Sequence, residues 1–321
     1  MAKGQATHLI RIGVVNIDVS HPLAFSRLLR AGNRARYVGV YNEGFRGRDE
    51  VDAFIRCQGL EKRCDSVEEL ARMCDIGFIQ GCNWEKHLAW AEPFIRLGKP
   101  VMIDKPMAGS LRELEKLERL ARDGAVILGS SSMRYAREIS EFLARPASER
   151  GEILHIMGTC GVDEFNYGIH VVEAVGAMAR GARSCRYCGG GTVEGNVCGS
   201  YLAAFESGVT AQYITVDGVW LPCSFLVTTT KGVYPILVDA GNVYRELLDR
   251  ICDFMEGGEN RLAPLSAITE SIRIMLAGRL SRERGGEEVA LADIPEDDPG
   301  FDGYAFEKRY AAAAKKIYLD E

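Results

Sequence analysis

Residues Gly98-Lys99-Pro100-Val101-Met102-Ile103-Asp104-Lys105-Pro106-Met107-Ala108 are the most informative stretch of the chain. An amphipathic run over 84–97 stops at Gly98, a residue that closes helices by taking left-handed backbone. Three apolar residues, 101–103, then read as a short strand, with an Asp-Lys-Pro turn at its carboxyl end. Open α/β sheets bind ligands outside the carboxyl ends of their strands, so Lys105 stands where a ligand is expected. A lysine there is partly desolvated, its pKa falls toward neutrality, and it can give or take a proton. Pro106 stiffens the backbone beside it. The stretch reads equally well as a surface lysine in a proline-containing turn.

The pattern repeats on both sides of this stretch. Apolar runs at 9–15, 37–41, 76–80 and 125–128 read as strands, and 23–31, 49–58, 67–73 and 111–123 as amphipathic helices, the last capped by Ser110. Strands alternating with helices mean right-handed crossovers and a parallel sheet. Residues 1–132 are therefore expected to form a doubly wound, Rossmann-type dinucleotide-binding domain. After residue 133 the rhythm changes. Strands are expected at 153–160, 192–197, 201–206, 209–216, 224–230 and 234–238, with helices at 169–178, 243–255, 265–281 and from about 304. Consecutive strands with short turns indicate a largely antiparallel sheet. Residues 133–321 are thus expected to be an α+β domain for substrate binding and oligomerisation, within an overall α/β fold.

Composition narrows the function. The chain has 321 residues, 47% hydrophobic and 26% charged, as expected for a globular protein large enough for two domains. Its net charge of −6, with Lys and Arg scattered among acids, argues against nucleic-acid or anionic-membrane partners. No apolar run is long enough to span a bilayer, and the polar lead-in 1–8 lacks the apolar core of a signal peptide. A cytoplasmic protein is expected. Ten cysteines then imply free thiols in a reducing compartment. Cys185 and Cys188 form the one close pair; with no second pair or nearby His, they read as buried small hydrophobes, and no metal is expected.

Lys105 and its surroundings resemble the Gfo/Idh/MocA family, the glucose–fructose oxidoreductase and inositol dehydrogenase group. The family's Glu-Lys-Pro motif stands here as Asp104-Lys105-Pro106, with His87 eleven residues before Gly98 at the head of the preceding helix. Downstream, Gly129 to Tyr135, the segment from Thr229 to Gly232 and the tail from Ala277 to Leu291 fall in the family's order and spacing. The resemblance implies an NAD(P)-dependent oxidoreductase moving hydride between the nicotinamide and a secondary alcohol of a sugar, cyclitol or related polyol. It implies that Lys105 and His170 face each other across the cleft, with Asn166 beside them and Arg134, Tyr135 and Asp163 toward the substrate. The cofactor, NAD or NADP, would be held by Gly13, Asn16, Ile17, Asp18, Glu43, Asn83, His87 and Asp104. A homodimer or homotetramer built through the second sheet is also expected, since such a sheet needs its outer face covered.

Two stretches depart from the family. An Asp is usual where Asn166 precedes Gly168 and His170, and Asn carries no charge to support its neighbours. The first strand–helix turn reads Gly13-Val14-Val15-Asn16-Ile17-Asp18-Val19-Ser20-His21-Pro22, with Asn16, Asp18 and His21 where a dinucleotide loop wants glycines. A carboxylate near a pyrophosphate is repulsive by about 1 kcal/mol even when solvated. Glu43 stands where an acid would hold the ribose, whereas Arg46 and Arg48 would suit a 2′-phosphate. The alternative reading is a non-redox descendant binding a carbohydrate-like ligand or nucleotide in the same cleft. Asp18 and His21 could equally be substrate or metal contacts.

Overall fold

The structure, a computed structural model, describes residues 9–318; the polar lead-in 1–8 lies outside the described residues. Its first half contains β1 (Ile10–Val15), α1 (His21–Gly32), β2 (Ala35–Tyr41), α2 (Arg48–Gln58), β3 (Lys62–Arg63), α3 (Val67–Met73), β4 (Ile76–Ile79), α4 (His87–Arg96), β5 (Val101–Ile103), α5 (Leu111–Arg122) and β6 (Ile127–Gly129). The strands form one parallel sheet in the order β3-β2-β1-β4-β5-β6. The order reverses at β1, so the crevice above β1 and β4 is the switch point where such sheets bind ligands.

Local chemistry sets these elements. Ser110 accepts from the Glu113 amide while the Glu113 carboxylate accepts from the Ser110 amide, a complete capping box that starts α5. Ser66 starts α3 by accepting from the Glu69 amide. At α1, Ser20 occupies the cap position but makes no side-chain cap bond, and the Asp18 carboxylate instead accepts from the Cys82 amide. A Cβ on Gly13 would lie 2.8 Å from Cys74 Sγ and 2.9 Å from Leu70 Cγ. Gly13 therefore serves the close seating of α3 on β1.

The second half comprises α6 (Arg137–Ala144), α7 (Ala147–Arg150), β7 (Ile153–Val162), α8 (Gly168–Met178), β8 (Ala182–Val193), β9 (Asn196–Phe205), β10 (Thr210–Asp217), β11 (Ser224–Thr229), β12 (Val233–Leu237), α9 (Val243–Met255), α10 (Leu265–Glu283), β13 (Val289–Ala290) and α11 (Gly303–Ala313). The seven-stranded sheet runs β12-β11-β7-β10-β9-β8-β13, antiparallel except where β7 meets β10. Helices α8 and α10 cover one face, and α10 is buried along most of its length, polar Thr269, Ser271, Arg279 and Ser281 included. On β7, β11 and β12, Met157, Leu226 and Leu237 are exposed. α9 packs on α1 and ties the two halves together. Among the described residues no helix is long and apolar enough to cross a membrane.

One strand was misplaced by the sequence pattern. Residues 192–197, expected as a strand, contain the tip of a hairpin: Glu194 and Gly195 both take positive φ, 51° and 84°, as a tight two-residue hairpin turn demands. The strand before it, β8, is rich in Gly and Arg and shows no clean alternation, so its existence is owed to pairing with β9. The cysteines are not uniformly buried: Cys185 lies in the core while Cys188 and Cys57 are exposed. The Cys185 and Cys188 thiols therefore sit in different environments along one strand.

Removing the Ser110 hydroxyl in Ser110→Ala is expected to lower stability by about 1 kcal/mol. Urea unfolding reads this directly, and an unchanged midpoint would discard the capping account.

Candidate active site

Asp104 continues the β5 ladder, its amide donating to Ile79 O (2.9 Å). One carboxylate oxygen accepts from the Lys105 amide (2.8 Å) and the other lies 2.6 Å from His21 Nδ1. His21 begins α1, stacked on Phe25 and edge-on to Tyr244. Burial pushes the Asp104 carboxyl up, but the His21 ring and the Lys105 charge outweigh it, and the net shift is downward. Asp104 thus fixes both the head of α1 and the backbone of the lysine turn.

With its base held, Lys105 reaches across to the second half. Its ammonium donates to the Asn166 carbonyl (2.8 Å) and to Asn166 Oδ1 (3.1 Å), and lies 5.1 Å from the centre of the Tyr167 ring. Burial lowers its pKa against the pull of Asp104 and Asp163. His170, on α8, lies with Nδ1 2.6 Å from Ser131 Oγ. Burial first, then the charges of Lys105 and His21, push its pKa well below the ordinary histidine value. At neutral pH His170 is an uncharged ring. Lys105 and His170, with His21, Tyr167, Trp220 and Tyr244, line one cleft of about 130 Å³ between the two sheets. Trp220, 64% exposed, stands at its mouth. A tempered amine, a neutral imidazole and aromatic walls suit a small ligand rich in hydroxyls, and proton exchange with one of them.

The model of the Gfo/Idh/MocA family, described as an oxidoreductase family with an NAD-binding Rossmann fold, matches residues 10–131. The likeness to that family model thus covers the whole first sheet. Solved structures extend the likeness of fold to the whole molecule. An oxidoreductase from Thermotoga maritima is 17% identical with a TM-score of 0.74, covering 90% of this chain and 100% of its own. The apo scyllo-inositol dehydrogenase of Lactobacillus casei is 12% identical with a TM-score of 0.76, again over 90% and 100%. An oxidoreductase from Agrobacterium radiobacter, solved with NAD+, L-tartaric acid and magnesium, is 13% identical with a TM-score of 0.70 over 90% and 100%.

The crevice over β1 and β4, the switch point where sheets of this kind take ligands, is filled here by the chain itself. Asn16 takes φ +64°, and its Oδ1 accepts from the amides of Glu43 (2.9 Å) and Gly44 (3.2 Å). Ile17 donates its amide to Asn42 Oδ1 (3.1 Å), and its side chain is fully buried. Asp18 is buried as well: Oδ2 accepts from the Cys82 amide (3.1 Å), while Oδ1 has no partner. Burial, then Glu307, raise the Asp18 carboxyl to about 6. Asp18, Cys82 and Glu307 bring ligand-type atoms within 4.8 Å of one another, with Glu307 supplied by α11. A dinucleotide needs α11 moved aside before it can enter this crevice, because Glu307 lies beside Asp18 and Cys82, and the Asn16 and Ile17 amides are already bonded to Tyr41 O (2.8 Å) and Asn42 Oδ1 (3.1 Å).

The structure also relocates several residues expected at the cofactor or substrate. His87 is buried with Nδ1 3.2 Å from Met107 O and Nε2 2.8 Å from Gly81 O, so it ties two turns together. Asn83 caps a short 3₁₀ turn through the Glu85 amide (3.1 Å) and donates to Glu307 (2.9 Å). Glu43 accepts from Trp90 Nε1 (2.8 Å) and Tyr41 (2.7 Å). Arg46 faces inward, donating to Asp18 O (3.0 Å), Glu50 (2.9 Å) and Lys315 O (2.6 Å), so it cannot greet a 2′-phosphate. Arg134 is committed to Glu173 (2.5 Å) and Ser271 (3.1 Å) behind α8. Tyr135 accepts from the Ala263 amide (2.8 Å) beneath Arg250. Both lie outside the cleft lining, as a buried charge must find its partner in the core. Asp163 accepts from the amides of Phe165 (2.9 Å) and Asn166 (2.5 Å), shaping the turn that presents Asn166. The sequence pattern missed Ser131, Tyr167, Trp220 and Tyr244; a lone Trp in a loop, Trp220, was the one available hint.

The Asp18 carboxyl has a testable consequence. Its folded pKa, about 6, lies above the ordinary 3.8, so the folded state holds the extra proton between those values. Stability therefore falls as pH rises from about 4 to 6, and the penalty is complete above that window. Asp18→Asn is expected to be more stable than wild type at pH 8, by on the order of 3 kcal/mol, with the advantage shrinking toward pH 4. Thermal melts across that range test it; a pH-independent difference would contradict the buried-carboxyl account.

Proposed function

We propose that the cleft between the two halves binds a sugar, cyclitol or related polyol, and that Lys105 exchanges a proton with a secondary hydroxyl lodged beside His170. This is the acid–base half of an alcohol–ketone interconversion, with NAD or NADP as the hydride partner. The observation that carries it is the convergence of Lys105 and His170, both shifted downward in pKa, on one small cleft walled by aromatic rings. A neutral His170 accepts or donates one hydrogen bond without competing for charge, and so orients the hydroxyl. Lys105 in its unprotonated form takes the proton, while Asn166 aims the amine through two acceptor oxygens. The aromatic faces of Tyr167 and Tyr244 suit the C–H surface of a ring-shaped polyol.

A second reading has its own support. The closed crevice and the buried Asp18 favour a descendant that binds a carbohydrate-like ligand without hydride transfer. The exposed Met157, Leu226 and Leu237 support self-association through the second sheet, as a homodimer or homotetramer.

Inositols and simple sugars should bind in calorimetry at millimolar concentration or below, and a polyol that binds should support reduction of NAD or NADP. The rate should rise with pH as Lys105 loses its proton, with a midpoint below the ordinary lysine value. Lys105→Met should lower turnover by about 10²-fold or more while retaining polyol binding. Absence of polyol binding sinks the proposal; binding with no dinucleotide-dependent turnover selects the second reading.

A further inference from the structure

We infer that the C-terminal segment, residues 303–318, is a built-in occupant of the dinucleotide crevice, and that segment and dinucleotide exclude each other. The segment touches each loop that a dinucleotide would need. Its approach is fixed by Phe301, stacked on Phe165 with ring centres 3.9 Å apart, whose carbonyl accepts from Trp84 Nε1 (2.7 Å). At the start of α11, Gly303 donates its amide to Glu85 (2.8 Å), and Phe306 packs 5.0 Å from Trp84, so the loop after β4 is covered. Glu307 then accepts from Asn83 (2.9 Å) and Lys86 (3.2 Å), with its carboxylate close to Asp18 and Cys82.

Beyond α11 the chain crosses to the second strand. Tyr310 meets Phe45, and the Lys315 carbonyl accepts from Arg46 (2.6 Å). Tyr318, 2% exposed, ends the path: its hydroxyl donates to Val19 O (2.8 Å) in the first strand–helix turn, and its ring lies 5.4 Å from Phe54 and 5.5 Å from the Arg46 guanidinium. A carboxylate over the first turn and an aromatic ring beside the end of the second strand occupy the regions where this class of sheet takes a phosphate and a base. These contacts use side chains with no role in the polyol cleft, and they are numerous enough to hold the segment in place.

The inference goes beyond the proposed function and shares with it only the choice of dinucleotide as competitor. A ligand that needs the open crevice binds with its affinity reduced by the fraction of molecules in which the segment is out. Two full-length variants, Tyr318→Ala and Glu307→Ala combined with Tyr310→Ala, should therefore bind NADH or NADPH at least about tenfold more tightly than wild type in fluorescence titration. A second measurement uses the wild-type protein alone. Saturating NADH or NADPH should raise amide hydrogen exchange in residues 303–318 and speed tryptic cleavage at Lys315 and Lys316. Equal, tight binding by wild type and variants, with exchange in the segment unchanged, overturns the inference and leaves the redox proposal standing. No binding by wild type or either folded variant overturns both, and polyol calorimetry then judges the cleft separately.

Discussion

One carboxylate holds the cleft together. Asp104, at the end of β5, bonds to the His21 ring with one oxygen and to the Lys105 amide with the other, and so locks the start of α1 to the lysine turn. Were either bond missing, the lysine would leave a loop end in an undefined direction, and His21 would be a buried imidazole without an acceptor. Since β5 is only three residues long and flanked on both sides by parallel strands, the turn has no freedom to slide. The direction of Lys105 follows from Asp104, and the contact with Asn166 follows from that direction.

The two halves meet through polar rather than apolar contacts at this point. Lys105 crosses to the turn before α8, Ser131 crosses to His170 on that helix, and the Asp163 carboxylate shapes the turn by accepting from the Phe165 and Asn166 amides. Each is short and at least partly buried, so each is strengthened by the lowered dielectric around it. The same desolvation that strengthens these bonds draws Lys105 and His170 toward their uncharged forms. Stability and chemistry here have one physical origin.

Over the neighbouring strands the outcome is opposite. The first strand–helix turn, at the switch point of the parallel sheet, is turned inward by Asn16 and Ile17 and roofed by the segment that ends at Tyr318. Asp18 was legible as an obstacle to phosphate from its charge alone. That its carboxyl is buried next to Glu307, nearly three hundred residues away in sequence, was not, because such a pairing has no local signature.

The strand–helix alternation, the Ser110 cap and the placement of Lys105 at a strand end were all readable along the chain, because periodicity and capping are short-range physics. The parallel first sheet and the mostly antiparallel second one followed from the same signals. Strand β8 was invisible, since its Gly and Arg residues carry no β pattern and only the partner strand fixes them. Likewise Arg46, Arg134 and His87 look like binding residues in one dimension. Folding gives each a buried partner, and a buried charge or ring nitrogen must be satisfied internally before it can serve a ligand. Which polar residues remain available for chemistry is therefore decided by long-range packing, and Lys105 and His170 are the pair that packing leaves facing an open cleft.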